Sequence, residues 1–434
     1  MNDKITPPPS IHTPEKIEPP ATAEKSVIDA NNRFALNFFS NLCKDAKYLN
    51  KTLFFSPFSI SSAFAITFEG ARESTAEEIQ TVFRFPNDSN QRRMEYKHLY
   101  EEINQENSGY LLKTATALWA EKTYLLLPEF VNLAQLYYNA HAKNLDFQNQ
   151  PDISRVTINR WVEDQTNNKI TDLFSKGAIT ELTRLVITNA VYFKGTWIEP
   201  FEKNETRDDV FYITPEKTVP VKMMENTARF NYTETDDLQV LEMYYIGSGR
   251  RISMLILLPK THTLASIEES LTVQKLSELR NALVSQKVRV MFPKFNLETQ
   301  YDLSSTLASM GMPTAFTDKA DFSGMDGVKN LLNLITGTVI HQAFVEVNEE
   351  GTEAVAVTGG RMVLSFAPPT RLPPTFRADH PFIFFIQDSG NGNILFMGRV
   401  NNPIGSPENP EPPHISGTRK KLPILTNLSG LLAK

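Results

Sequence analysis

Residues 27–403 form one uninterrupted stretch of ordinary globular composition, and this continuity constrains the fold more than any other feature. Length alone would suggest about two or three domains for a chain of 434 residues. Within the stretch, however, no run of proline, glycine or serine is long enough to act as a linker, and domain boundaries usually fall in such linkers. The sequence therefore predicts a single large domain.

The two ends of the chain differ in composition from this domain. Residues 1–26 combine proline with charge, which leaves too little apolar surface to offset the ordering entropy, so a disordered arm is predicted. Residues 404–434 form a proline-rich linker and a basic and apolar tail, for which disorder is favoured over a docking or targeting role. The amino terminus lacks the apolar core of a secretory signal, and no stretch approaches the length of a membrane span. A cytoplasmic location is favoured over an extracellular one.

The mixture of elements within the domain indicates an α+β fold. Phe34, Phe38 and Leu42 recur at the spacing of an amphipathic opening helix. Other helical patterns cover residues 59–70, 93–104 and 156–168. Strand-like runs occur at 185–193, 252–258, 288–292, 339–347, 381–387 and 394–400, the last two joined by a turn-rich hairpin connection at 388–392. Because helices and strands do not alternate strictly, a layered α+β arrangement is expected.

Charge and cysteine content exclude several classes of protein. The net charge of −6 argues against nucleic-acid binding, which needs a clustered basic face. A single cysteine, Cys43, excludes an internal disulfide and is interpreted as a small buried apolar residue. Arg92, Arg93 and Lys97 lie on a predicted helix beside acidic residues, so a solvated face of mixed charge is favoured over a polyanion site.

No sequence motif supports catalysis. The nucleophile elbow, the zinc-protease helix, the P-loop and the dinucleotide-binding glycine pattern are all missing. The seven histidines show no spacing typical of metal ligands. Asp388, Ser389 and Gly390 faintly echo a serine-protease nucleophile loop, but a hairpin turn explains these residue types better. The prediction is a protein that is not an enzyme, with no catalytic residue, no metal and no cofactor.

One segment near the carboxyl end is unusual, because the strand pattern at 339–347 leads into a long stretch without turn chemistry that lasts until Pro373. Read with a period of two, one face of this stretch carries only small residues, namely Thr352, Ala354, Ala356, Thr358 and Gly360. Such a segment can lie exposed as a loop, or it can fit as a strand against a packed core. From the residues alone, an edge strand followed by a surface loop is favoured.

Several blocks of sequence resemble the serpin family of serine protease inhibitors, in the order expected for that family. They are FFSPFSISS at 54–62, GAR at 70–72, NAVYFKGTW at 189–197, NEEGTEAVA at 348–356, PTFRADHPF at 374–382 and FMGRV at 396–400. The resemblance covers about residues 27–403. It implies an α+β serpin fold, with three β-sheets, eight or nine helices and an exposed reactive-centre loop at about 350–374.

The resemblance also implies a mechanism. In serpins a target protease attacks the reactive loop and forms an acyl-enzyme, and the cleaved loop then inserts into the main sheet as an added strand. The chain is thus expected to be a suicide-substrate inhibitor, a monomer whose partner is a serine protease held as a covalent acyl complex. Loop–sheet polymerisation is the expected side reaction, and no nucleic-acid or membrane partner is expected.

The resemblance implies two groups of functional residues in this sequence. The hinge, where insertion begins, consists of Glu350, Gly351, Thr352, Glu353, Ala354, Val355, Ala356, Val357 and Thr358. The shutter, a hydrogen-bonded cluster beneath the point where the sheet opens, consists of Ser56, Ser59, Asn189 and His341.

The family's spacing from the hinge glycine implies that the protease cuts between Ser365 and Phe366. The segment from there to Phe376 is slightly longer than usual, so cleavage after Leu364 or Phe366 is an alternative. These residue types suit chymotrypsin-like or elastase-like proteases rather than trypsin-like ones.

A non-inhibitory serpin, acting as a carrier, chaperone or storage protein, is the alternative function. Such members often carry charged, bulky or proline residues on the inserting face of the hinge, and none occurs there between Thr352 and Gly360. Val355 and Val357 are bulkier than usual but fall on the opposite face. Inhibition is therefore favoured.

Overall fold

The structure is a computed structural model, and it describes residues 23–103, 109–247, 252–261, 263–329, 334, 339–352 and 372–404. These residues form ten α-helices: α1 Val27–Lys44, α2 Pro57–Gly70, α3 Glu73–Phe83, α4 Ser89–Ile103, α5 Pro128–Tyr138, α6 Pro151–Gln165, α7 Ala265–Ser270, α8 Val273–Asn281, α9 Leu303–Ser309 and α10 Ser323–Asp326. The family resemblance implied eight or nine. The count here includes two short helices, α7 of six residues and α10 of four.

The same residues form fifteen strands. They are β1 Leu53–Phe55, β2 Tyr110–Glu121, β3 His141–Leu145, β4 Leu185–Thr196, β5 Arg207–Thr214, β6 Lys217–Glu234, β7 Leu238–Tyr244, β8 Ile252–Pro259, β9 Val284–Pro293, β10 Phe295–Asp302, β11 Val339–Asn348, β12 Gly351–Thr352, β13 Thr375–Arg377, β14 Phe382–Asp388 and β15 Ile394–Val400. The predicted hairpin connection at 388–392 joins β14 and β15, which pair antiparallel.

Six strands form what we call the main sheet, in the order β10–β11–β12–β4–β2–β3. Below the two-residue strand β12, β11 and β4 pair directly and run parallel, with His341 opposite Asn189. We call this junction between β11 and β4 the seam. Parallel neighbours need a long crossover between them, and here β11 lies far along the chain from β4.

The other strands join into a second sheet, ordered β1–β15–β14–β8–β7–β6–β9–β13 with β5 added beside β6. Three sheets were predicted, whereas hydrogen bonds link the described strands into two. The reason is β6, which is 18 residues long and pairs with β5 near its start, with β9 along its middle and with β7 at its end. A single long strand therefore connects two sheet regions.

Helix α2 begins where Ser56 caps its first turn, since the Ser56 Oγ accepts a hydrogen bond from the Ser59 N–H at 3.1 Å. The helix is apolar on nearly all sides and is almost wholly buried, as expected for a helix enclosed on every face. It contacts both sheets and the helices around it. Helix α1 buries the predicted stripe of Phe34, Phe38 and Leu42 against the same core.

A second, smaller core lies on the opposite face of the main sheet. Helix α6 and the segment that follows it cover the outward side chains of β2, β4 and β11 there. The inward residues of β11 alternate as predicted, with Val339, His341, Ala343, Val345 and Val347 all fully buried. The seam is therefore packed on both faces.

Candidate functional site

The top of the seam is occupied by Gly351 and Thr352, which lie at the start of the predicted reactive loop. Gly351 and Thr352 form β12, which pairs antiparallel with β11 on one side and with β4 on the other. Thr352 lies opposite Val347 of β11 and Gly195 of β4. A two-residue strand therefore lies between the upper ends of the two central strands of the main sheet.

Gly351 allows this entry because its backbone is close to β4. Its φ angle of 150° and its surroundings both exclude a side chain, since an added Cβ would lie 2.0 Å from the Gly195 carbonyl oxygen. Gly195 is constrained in turn, because a Cβ there would lie 2.6 Å from the Tyr245 ring. Two glycines on adjacent strands are therefore needed at the entry point, one for the close approach of the backbones and one to make room for the Tyr245 ring.

Thr352 is anchored by aromatic side chains beneath the sheet. Its hydroxyl lies 2.8 Å from the Tyr245 hydroxyl, and both residues are fully buried. The Tyr245 ring stacks on Trp197 at 4.3 Å between centroids, and the Trp197 indole N–H donates to the Asn348 carbonyl. Burial raises the pKa of Tyr245 far above its usual range, so the phenol stays protonated. Tyr245 and Trp197 therefore fix the turn that leads from Asn348 into β12.

Ion pairs hold the same turn from the side. The Glu349 carboxylate accepts hydrogen bonds from Lys294 at 2.7 Å and from the Thr206 hydroxyl at 2.8 Å. Burial alone would raise the pKa of Glu349, but the donors, Lys294 foremost, outweigh burial and keep this pKa below its usual value. Glu350, the first predicted hinge residue, pairs with Lys203.

Of the predicted hinge, the structure describes Glu350, Gly351 and Thr352 only. Glu353, Ala354, Val355, Ala356, Val357 and Thr358 lie outside the described residues. The predicted cleavage position also lies outside them, which includes Ser365, Phe366 and the alternative Leu364.

The four predicted shutter residues lie together across the seam. The Ser56 N–H donates to the His341 Nε2 at 3.0 Å, and the His341 Nδ1 lies 2.6 Å from the Asn189 Oδ1. The Asn189 amide in turn donates to the Ser59 hydroxyl at 2.8 Å and to the Ser59 carbonyl at 2.9 Å. One hydrogen-bonded chain thus links α2 to both central strands.

This arrangement requires a neutral His341. Its Nε2 accepts a backbone N–H and so carries no proton, which leaves Nδ1 as the donor to Asn189. Burial lowers the pKa of His341 to about 3, with the contact to Asn189 opposing the shift. Protonation would break the bond from Ser56 and place an unpaired charge in the core.

The low pKa of His341 predicts a loss of native stability in mild acid. In the unfolded protein the His341 imidazole binds a proton below about pH 6.5, whereas in the folded protein it stays neutral down to about pH 3. The contribution of His341 to the free energy of unfolding is therefore complete above pH 6.5 and is lost as the pH falls toward 3. The expected slope is about 1.4 kcal/mol per pH unit. Guanidinium unfolding midpoints between pH 7.5 and 5 should therefore fall more steeply in the wild type than in His341→Gln, and equal slopes would contradict this assignment.

Sequence reasoning missed several partners in these clusters. Thr116 of β2 accepts a further hydrogen bond from Asn189 at 3.2 Å, and the Ser56 hydroxyl donates to the Leu395 carbonyl at 2.7 Å. Tyr245 and Lys294 were also missed. Each contact joins residues far apart in the chain, so no local pattern could have revealed it.

The prediction of a solvated face of mixed charge on α4 is wrong for one of its three cationic residues. Arg92 is buried and pairs with the buried Glu69 of α2 at 2.9 Å, and Arg93 pairs with the same carboxylate at 2.7 Å. Burial would raise the pKa of Glu69, but the bonds from Arg93, Arg92 and Tyr138 keep it below its usual value. Arg93 and Lys97 are both partly exposed, and Lys97 pairs with Glu101.

Two further observations bear on ligands and membranes. Among the residues that the structure describes, no three histidine, cysteine, aspartate or glutamate side chains are grouped so that they could hold a metal ion. Within the same residues, no helix is both long and apolar enough to cross a bilayer. Cys43 is half-buried rather than fully buried, and desolvation raises the pKa of its thiol to about 12.

The main sheet thus holds the short strand β12 between the upper ends of its two central strands, and comparison with known proteins gives the family. The family model described as serpin (serine protease inhibitor) matches residues 29–403. An uncharacterized serpin-like protein from Methanosarcina acetivorans is 41% identical over 385 residues, which cover 88% of this chain and 89% of the relative. The leukocyte elastase inhibitor of Homo sapiens is 41% identical over 384 residues, covering 86% of this chain and 98% of that protein.

Solved structures agree with the sequence comparison. Uncleaved ovalbumin superposes with a TM-score of 0.77 at 30% identity, covering 87% of this chain and 100% of ovalbumin. The chain belongs to the serpin family. The resemblance found in the sequence and the α+β serpin fold are thereby confirmed.

Proposed function

We propose that the protein is a suicide-substrate inhibitor of serine proteases with chymotrypsin-like or elastase-like specificity. The observation that carries the proposal is β12, because its two residues give the position and register that the rest of a cleaved loop would follow into the seam. Protease inhibition in general is supported by family membership and by relatives named leukocyte elastase inhibitor. In this role the chain is a substrate that traps an enzyme and has no turnover of its own.

The register of β12 can be extended residue by residue. Thr352 faces inward and lies opposite Val347 and Gly195, so an antiparallel continuation brings Ala354 beside Val345 and Phe193. The same continuation brings Thr358 beside His341 and Asn189, the pair that closes the seam. All inward positions would then be small.

This register suggests how the shutter takes part. Insertion separates His341 from Asn189, which would leave a buried imidazole N–H and a buried amide oxygen without partners. The Thr358 hydroxyl, arriving at that level, has both a donor and an acceptor to offer. We therefore assign Thr358 the role of replacing the bond that insertion breaks.

Incubation with chymotrypsin and with a leukocyte elastase tests the proposal directly. A band at the summed mass that survives boiling in detergent is expected, since the acyl bond is covalent and distortion of the oxyanion hole alone slows deacylation by about 10²–10³. Sequencing the released fragment should place the cut between Ser365 and Phe366, or one residue to either side. A cut after Arg371 would contradict the assigned bond.

The alternative function is a non-inhibitory serpin that acts as a carrier, chaperone or storage protein. Loop cleavage without a covalent band, across a wide panel of serine proteases, would support it. The cytoplasmic location and the disordered ends remain predictions from the sequence.

A further inference from the structure

Residues 166–184, which follow helix α6, are called the strap. Helix α6 and the strap together form one body on the outer face of the main sheet. The Asn159 side chain of α6 both donates to the Phe174 carbonyl and accepts from the Phe174 N–H, each at 2.9 Å and buried. Ile170, Leu173 and Phe174 of the strap pack with α6 into the second core. The strap therefore moves with the helix rather than independently of it.

This body is attached to both sides of the seam. On the β2–β3 side, the Trp161 ring of α6 packs edge-on against Trp119 at 5.2 Å and against His141 at 5.4 Å. On the opposite side, the Gln300 amide of β10 donates to the Leu173 carbonyl at 2.9 Å. Since the sheet order is β10–β11–β12–β4–β2–β3, the body spans the seam.

Adding a strand to the seam must break one of these attachments. Each new strand widens a sheet by about 4.8 Å, so the two attachment points would separate by that distance. A hydrogen bond of 2.9 Å between Gln300 and Leu173 does not survive such a displacement. The body must therefore release either the β2–β3 half of the sheet or the β10–β11 half.

The attachments to the β10–β11 half are the weaker ones. Those that the structure describes include the Gln300 bond, the Lys169 ammonium 5.8 Å from the centre of the Phe344 ring, and apolar contact with Ile340 and Phe344. Gln300 also donates to the Gln342 side chain of β11 at 3.2 Å, so its amide is oriented from the neighbouring strand. On the β2–β3 side, the Trp119 ring is buried beneath α6 and further fixed by a bond to Thr188.

We propose that Gln300 is a positioning residue for strand insertion, whose bond to the strap carbonyl of Leu173 is released as the seam opens and sets the rate of that opening. The inference rests on the proposed inhibitory function for its biological meaning. The opening itself can be measured without a protease. Removing one hydrogen bond of ordinary strength should accelerate opening by about three- to tenfold.

The test is the rate at which a synthetic peptide with the sequence of residues 353–365 anneals into the full-length protein. Gln300→Leu removes both N–H groups at similar volume, and Gln300→Glu keeps size and polarity but has no N–H to donate. The matched control is Gln80→Leu, which removes an amide donor to the Phe85 carbonyl at α3, away from the seam. Thermal midpoints of all variants show whether each is folded.

Faster annealing in both Gln300 variants, with Gln80→Leu at the wild-type rate, is the expected result. The limiting rate of covalent trapping should rise by a similar factor. Wild-type annealing rates in the Gln300 variants, or equal acceleration in Gln80→Leu, would overturn the proposal. Absence of any covalent complex would instead count against the inhibitory function, while the annealing rates would still report on Gln300.

Discussion

Replacing Ala354 by lysine is expected to abolish covalent trapping while leaving cleavage of the loop intact. In the register set by β12, residue 354 would enter beside Val345 and Phe193, which are both fully buried. A lysine there would place an unpaired ammonium group in the core, at a penalty of several kcal/mol. A penalty of about 3 kcal/mol already slows a step more than a hundredfold. Hydrolysis of the acyl-enzyme would then outrun insertion.

The matched control changes the neighbouring residue to the same amino acid. Glu353 would enter facing outward, beside Lys194 and Glu346, which are both partly exposed. Glu353→Lys should therefore keep the detergent-stable band that Ala354→Lys loses, and the ratio of complex to cleaved protein on a gel measures both. Retention of the band in Ala354→Lys, or its loss in both variants, would show that the register is wrong.

Replacing His341 by alanine is expected to accelerate polymerisation on heating by about ten- to a hundredfold. The bond from His341 to Asn189 joins a directly opposed pair across the seam, so the seam cannot widen until this bond breaks. A buried hydrogen bond contributes about 1–3 kcal/mol when its loss leaves a partner unsatisfied, and each 1.4 kcal/mol is tenfold in rate. The variant lacks this restraint before heating begins.

Loss of stability in general must be separated from loss of this restraint. Ser62→Ala removes a buried hydrogen bond of 2.6 Å to Tyr100 that does not cross the seam. It should lower the thermal midpoint without a matching rise in polymerisation, followed on native gels at a fixed temperature. A His341→Ala protein that polymerises at the wild-type rate would remove the shutter role from this residue.

The sequence predicted those parts of the fold that depend on local patterns. The spacing of Phe34 and Phe38 is enough to place α1, and the alternation along 339–347 identifies the buried face of β11. The hairpin of β14 and β15 follows from the turn residues between them. In each case the residues that decide the structure lie within a few positions of one another.

Features that depend on distant contacts were not predictable in this way. The charges of α4 indicated a solvated helix, because nothing nearby shows that Glu69 of α2 lies against Arg92 and Arg93. The entry of Gly351 into the sheet depends on Gly195, and its anchoring depends on Tyr245. The family resemblance pointed to Ser56, Ser59, Asn189 and His341 as the predicted shutter, and the structure shows how their hydrogen bonds connect.

The paired state of Gly351 and Thr352 changes the kinetic problem that the loop faces. Starting a new strand is the improbable step, since a flexible segment must be confined before any contact rewards it. Here Gly351 and Thr352 are already confined in the folded protein, because both residues pair with β11 on one side and with β4 on the other. In the proposed mechanism, insertion of the cut loop would therefore lengthen a strand that already exists. Each further residue would then need only to form the next backbone hydrogen bonds with β11 and β4.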